Sequence, residues 1–212
     1  TRLLAPVEPS KIVAIGLNYK DHIEQDLPPD FEPPENPVIF LKPPSSLVGH
    51  GENIVLPAGA EKIDNEAELG VVISRRCRNV KAENYQDVIL GLTNANDVSA
   101  RDYQFKDGQW ARAKGFDTFS PVGPSIVTGA APTGRSIVSR VNGEVYQSSN
   151  TDMLLFDVPT LIEFITRVMT LEPGDIIMTG TPGGPPAMKP GDVVEIEVDG
   201  LGVLRNTAVA ES

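Results

Sequence analysis

Nineteen glycines and nineteen prolines are distributed along this chain of 212 residues, and that punctuation limits what it can build. Proline fixes φ and removes a backbone donor, and glycine weakens the interior of helices and strands, so many short strands and turns are favoured over a helical bundle. The expected class is α+β, strand-rich, with a few helices packed against the sheets. Apolar runs predict strands over 11–17, 38–41, 54–56, 121–128, 137–146, 175–180, 193–199 and 203–208, the 137–146 run folding back at the hairpin signal Asn142-Gly143. Residues 19–26 form a polar segment around His22 and Ile23, and the proline-dense stretch 27–36 suits a lid or a plain connector. Residues 84–92 read as a helix-to-strand passage, and 99–108 as a helix capped by Ser99 or Asp97 and stopped by Gly108. Clear helical periodicity is confined to 157–171, through Leu161, Phe164, Ile165, Val168 and Met169, with Asp157 as cap and Pro173-Gly174 as the end.

At this length the chain can bury a substantial core, and residues 1–212 are read as one domain. Cys77 is the only cysteine and there are two histidines, which excludes an internal disulfide, a cysteine-rich zinc site and an all-histidine site of three ligands. A net charge of −11 makes nucleic acid and anionic lipid disfavoured partners. No apolar stretch approaches a membrane span and the N-terminal residues lack a signal-peptide pattern, so the expected location is cytoplasmic and the expected partner a small molecule.

Within that frame, Glu66 and Glu68 flank Ala67 at the head of a β-branched run, 69–73. Strand side chains repeat every two residues, so both carboxylates leave one face and disfavour each other's ionisation unless a cation or a shared proton offsets them. Asp97 is the candidate third ligand, and three carboxylates suit Mg²⁺ or Mn²⁺ better than zinc or copper. The rival reading is a solvated face or a surface Ca²⁺ cluster. The apolar runs 70–73 and 88–92 favour the interior.

Other side chains carry paired readings. Arg101 and Gln104, three apart, share a face if helical, where Arg101 would hold a substrate carboxylate or else pair internally with Asp97 or Asp102. Lys114, among small and aromatic residues, would stabilise an oxyanion or be simply solvated. His22 suits a general base but equally a surface histidine, and Thr181 lies in a Gly-Thr-Pro-Gly-Gly turn whose amides would meet an anion or nothing.

In series, Ile15–Tyr19 with Asp21-His22, 38–43, 66–69, 96–102, 113–117, and 174–177 through 179–182 resemble the fumarylacetoacetate hydrolase family, in its order and over nearly the whole chain. The resemblance implies a mixed β-sandwich or β-roll of the family's C-terminal catalytic domain type, a homodimer, and Mg²⁺ or Mn²⁺ held by Glu66, Glu68 and Asp97. It matches Arg101, Gln104, Lys114 and Thr181 to positions that contact or polarise substrate. Lys42 joins the substrate contacts as one of the few positive groups an anionic substrate could meet, and His22 with Glu24 is read as activating water. Residues 3–7 resemble the junction after a small N-terminal domain in longer members. Two departures stand out: Gln25 lies where the family has glutamate three residues after histidine, and the loop after Thr181 is proline-stiffened.

The activity so implied is metal-dependent chemistry on small 2-oxo dicarboxylic or acylpyruvate-type acids, the metal chelating the 2-oxo acid or its enol. Hydrolysis of a C–C bond, decarboxylation and enol/keto isomerisation all follow from one such site. Gln25 weakens hydrolysis relative to the other two, which need no activated water. A catalytically silent metal-binding scaffold of the same fold is the alternative.

Overall fold

The computed structural model describes residues 3–211; Thr1, Arg2 and Ser212 lie outside the described residues. In chain order the strands are β1 (Ile12–Gly16), β2 (Val38–Lys42), β3 (Leu47–Val48), β4 (Asn53–Leu56), β5 (Ile63–Asp64), β6 (Ala67–Ile73) and β7 (Ile89–Asn96). They continue with β8 (Ser99–Ala100), β9 (Ser120–Val127), β10 (Ser136–Val141), β11 (Glu144–Asn150), β12 (Ile176–Met178), β13 (Val193–Val198) and β14 (Val203–Ala210). The α-helices are α1 (Lys20–Asp26), α2 (Arg101–Asp107), α3 (Ala111–Lys114) and α4 (Val158–Val168).

Seven strands form a mixed sheet in the order β2-β1-β12-β6-β7-β9-β3, five form a second in the order β11-β10-β13-β14-β4, and β5 pairs with β8. The alternation of side chains decides how they stack. Leu69, Val71 and Ile73 of β6 meet Ile137 of β10, Ile196 and Val198 of β13 and Leu204 of β14, and α4 closes this core with Leu161, Ile162 and Ile165. The opposite face of the large sheet carries its own cluster, in which Ile12, Ala14, Ala95 and Met178 lie beneath Trp110. Strands buried on both faces lose the polar alternation of an exposed sheet, which is why β1 and the 69–73 part of β6 read as continuous apolar runs. The architecture is the strand-rich α+β sandwich expected.

Local signals held where they rest on neighbouring residues. Asn142 (φ 53°) and Gly143 (φ 85°) are both left-handed, the combination a two-residue type I′ hairpin requires, and they join β10 to β11. Asp157 accepts the Thr160 N–H at 3.0 Å as the cap of α4, and Gly108 (φ 66°) ends α2. Two expectations need correction. α4 stops at Val168, because Met169 is already extended and Leu171 bridges to Cys77, so the turn at Pro173-Gly174 ends a strand-like passage instead of the helix. Neither Ser99 nor Asp97 caps α2: Ser99 and Ala100 pair with β5, Ala100 is the cap position, and the Arg101 N–H donates to the Lys62 carbonyl at 2.8 Å. The polar segment around His22 is helical, as α1. Among the described residues no helix is long and apolar enough to cross a membrane.

Asp175 ties the start of β1 to β12. Its fully buried carboxylate accepts from Ser10 N (2.9 Å), Ser10 Oγ (2.7 Å), Lys11 N (3.1 Å), Lys11 Nζ (2.5 Å) and Glu172 N (2.8 Å). Burial pushes its pKa up, but Lys11 and these donors outweigh burial and hold it below the ordinary carboxylate value. A depressed pKa contributes stability above the unfolded-state value that is lost as pH falls through the folded one. Asp175→Asn is therefore expected to cost about 2–4 kcal/mol at neutral pH. In urea titrations the gap to the parent protein should close toward roughly pH 3; a gap of equal size at both pH values would refute the pairing.

Candidate metal centre and active site

The face of β6 opposite the sandwich core begins the site. Ala67 and Leu69 turn into that core, which sends Glu66 and Glu68 to the other side. β7 runs antiparallel with Ala67 opposite Asn96, so the chain leaves β7 beside Glu66, and the Asp97 N–H donates to the Glu66 carbonyl at 3.0 Å. Asn96 Oδ1 accepts the Glu66 N–H at 3.0 Å while its Nδ2 donates to Asn65 Oδ1 at 2.6 Å, an amide pair that locks the two segments in register. Glu66, Glu68 and Asp97 each bring a carboxylate oxygen to within 4.8 Å of the others, and all three residues are buried.

Three cations meet this cluster. Lys114 Nζ donates to Glu66 Oε2 (2.8 Å), Asp97 Oδ2 (2.5 Å) and Ser99 Oγ (2.7 Å), which engages all three of its hydrogens. Arg101 donates through Nε to Asp64 Oδ2 (2.7 Å), through Nη1 to Gln104 Oε1 (2.9 Å), and through Nη2 to Glu66 Oε1. A guanidinium has five N–H groups, so two remain without a partner among the described residues. Lys42 pairs with Asp97 Oδ1 and donates to the Phe119 carbonyl at 2.8 Å.

Asp64 is shared between Arg101 and Lys62, whose exposed Nζ stands 3.5 Å from its Oδ2, so of the four carboxylates it is Glu68 that lacks an ion-pair partner among the described residues. Its Oε2 accepts the Gly180 N–H at 2.7 Å, but among the described residues no lysine or arginine pairs with it. Burial first, then the neighbouring Asp97 and Glu66, raise its carboxyl well above the ordinary range. Glu66 shifts the other way: burial raises it, but Arg101 and Lys114 together overcome burial and hold it well below. Burial alone would lower Lys114, and Asp97 and Glu66 more than reverse it, whereas burial wins at Lys42 and lowers its pKa. A divalent cation fits this set: the donors are all hard oxygens, no thiolate or imidazole belongs to the trio, and Glu68 has no lysine or arginine partner among the described residues.

One pocket is lined by His22, Glu66, Glu68, Asp97, Arg101, Gln104, Lys114 and Thr181, so most of the residues singled out from the sequence converge. Lys42 does not line it. Its side chain is wholly buried behind Asp97, so the expected substrate contact is replaced by an ion pair that orients the carboxylate. Glu24 is also displaced: it is exposed on α1, two residues from His22, and helical neighbours lie three or four apart. His22 Nδ1 instead meets Asp26 Oδ2 at 2.7 Å. Asp97 sits between β7 and β8, not on α2, and Arg101 pairs with Asp64 and Glu66, not with Asp97 or Asp102.

Asp64, Trp110 and Gln147 were not anticipated. Asp64 precedes Glu66 by two, so the same alternation that joined the glutamates also predicts its facing. Trp110 is the only tryptophan and lines the pocket. Gln147 has no local signal. It accepts the Ala67 N–H at 2.9 Å and donates to Thr181 Oγ1 (2.8 Å) and the Pro182 carbonyl (2.7 Å), fastening the Thr181 loop to the site strand from the other sheet.

Comparison with known proteins places this geometry among relatives. The family model described as fumarylacetoacetate (FAA) hydrolase C-terminal matches residues 11–209. The chain is 49% identical to the crystal structure of 5-carboxymethyl-2-hydroxymuconate delta-isomerase from Mycobacterium smegmatis, with a TM-score of 0.93 over 100% of this chain and 83% of that one. For 2-hydroxyhepta-2,4-diene-1,7-dioate isomerase from Mycobacterium marinum the identity is 47% and the TM-score 0.92, over 100% and 79%. Oxaloacetate tautomerase Fahd2a, mitochondrial, of Rattus norvegicus is 44% identical over 97% of this chain and 69% of its own length.

Proposed function

Because the chain belongs to the fumarylacetoacetate hydrolase family, we propose that it isomerises small 2-oxo dicarboxylic acids between keto and enol forms, with Mg²⁺ or Mn²⁺ held by Glu66, Glu68 and Asp97. The observation that carries this reading is the meeting, in one pocket, of that carboxylate trio with His22 and with an arginine that keeps two N–H groups to offer. When bound, the cation supplies Lewis-acid polarisation of the substrate's 2-oxo group.

The chain's own residues supply the rest. Arg101, braced by Asp64, Glu66 and Gln104, presents its two remaining N–H groups to a substrate carboxylate, where a planar fork gives orientation as well as charge. Lys114 holds Glu66 and Asp97 together and lends positive charge to the side where oxygen gains electron density. Thr181 accepts from Gln147, which leaves its own hydroxyl proton to donate into the pocket. His22 moves the proton: keto to enol conversion takes one from the carbon beside the 2-oxo group and delivers one to oxygen, and a single base can do both.

Isomerisation is favoured over hydrolysis by the demand on the base. C–C hydrolysis must deprotonate water, whereas isomerisation returns the proton it removes. The three similar proteins named above are isomerases or a tautomerase. The test is ketonisation of enol-oxaloacetate, followed by loss of enol absorbance, beside acetylpyruvate cleavage and isomerisation of a 2-hydroxy-dienedioate. With Mn²⁺ the expected acceleration of an isomerisation is at least about 10²-fold over buffer. Acetylpyruvate cleavage exceeding both isomerisations would overturn the proposal, as would no turnover of either isomerisation substrate.

A further inference from the structure

We infer that Asp26 is the positioning residue for His22, doing from four residues away what the non-ionisable Gln25 cannot do from three; this builds on the isomerase reading above. In α1, positions 22 and 26 are one turn apart and face each other, and Asp26 Oδ2 lies 2.7 Å from His22 Nδ1. A carboxylate only accepts hydrogen bonds, so Nδ1 carries the hydrogen and the neutral ring keeps its lone pair on Nε2. His22 lines the pocket with Glu66, Glu68 and Asp97, and Nε2 is thereby the nitrogen left to take a proton there.

Asp26 is itself fixed from outside the helix. The same Oδ2 accepts the Gly184 N–H at 3.0 Å, and Gln25 lies so close to Gly183 that a Cβ there would stand 2.7 Å from Gln25 Oε1. At the other end of α1, Ser149 Oγ donates to Asp21 Oδ2. α1 is thus latched to the loop that carries Thr181, with the imidazole set by the latch. In the proposed reaction the C–H bond beside the 2-oxo group breaks and its electron pair forms the C=C bond. The carbonyl π pair moves to oxygen, and the proton passes to Nε2. The imidazolium so formed is stabilised by the Asp26 charge until the proton returns to oxygen.

The test uses the full chain loaded with Mn²⁺. Asp26→Asn is expected to lower kcat for enol-oxaloacetate about 100-fold with KM near the parent value. Gln25→Glu in the Asp26→Asn background should restore kcat to within a few-fold, because positions three and four residues on both reach His22. Unchanged kcat in Asp26→Asn overturns the inference, and so does a loss that Gln25→Glu fails to rescue, since Asp26 would then act only through Gly184. Nitrogen-15 shifts of His22, taken where the ring is neutral, read the same contact without substrate. A Nδ1–H tautomer that weakens in Asp26→Asn supports the inference, and a Nε2–H tautomer in the parent protein overturns it. Should the parent protein turn over no diacid, the function proposed above fails while the tautomer measurement still decides the role of Asp26.

Discussion

Glu68→Gln is expected to move metal affinity and fold stability in opposite directions. Without metal, Glu68 is a buried carboxyl beside two others, with a single backbone amide from Gly180 and no ion-pair partner among the described residues. A folded-state pKa raised above the unfolded value means stability that is fully present below the ordinary carboxylate value and lost as pH rises from there through the raised folded-state one. An amide keeps the shape and can still accept the Gly180 N–H, but it carries no charge. The metal-free variant should therefore be more stable than the parent protein by about 1–3 kcal/mol at neutral pH, with the gain fading in acid. Affinity for Mn²⁺ should fall by more than about 100-fold, since loss of a mere outer partner of a metal ligand already costs 10- to 100-fold. Calorimetric titration with Mn²⁺ and urea unfolding with and without metal read the two halves separately. Unaltered Mn²⁺ affinity would remove Glu68 from the metal site, and a metal-free variant less stable than its parent would refute the uncompensated burial of its carboxyl.

Lys42→Met is expected to have the largest effect on folding. Lys42 is wholly buried with its ammonium on Asp97 Oδ1 and the Phe119 carbonyl, so a methionine of similar length leaves a buried carboxylate and a carbonyl short of a partner. Breaking one side of a buried pair costs about 3–5 kcal/mol. Lys114 stays on the other oxygen of Asp97 and softens the loss. Saturating Mn²⁺ should recover part of it, because a ligand that binds only the folded state stabilises by mass action and would meet the same carboxylate. KM for a diacid should stay near the parent value, because the side chain does not line the pocket. A raised KM with unchanged stability would return Lys42 to direct substrate contact.

What the sequence by itself determined are features that need only near neighbours. The two-residue period put Glu66 and Glu68 on one face, Asn142-Gly143 made the hairpin, Asp157 capped α4, and the ordered motifs carried the family. Asp26 was legible in the same way, four residues past His22, once that polar segment is seen to be helical. Tertiary structure decided which charge meets which. Lys42 lies 55 residues from Asp97, Lys114 lies 48 from Glu66, and Gln147 lies 80 from Ala67 on the other sheet. Such contacts depend on strand order and register, and no local period encodes them. That is why a lysine that reads like a substrate contact ends behind the site, while Glu24, two residues from His22 on a helix, ends in solvent. In such a cluster of acids and bases, each side chain's chemistry follows from its assigned partner, and only the packed sheets make that assignment.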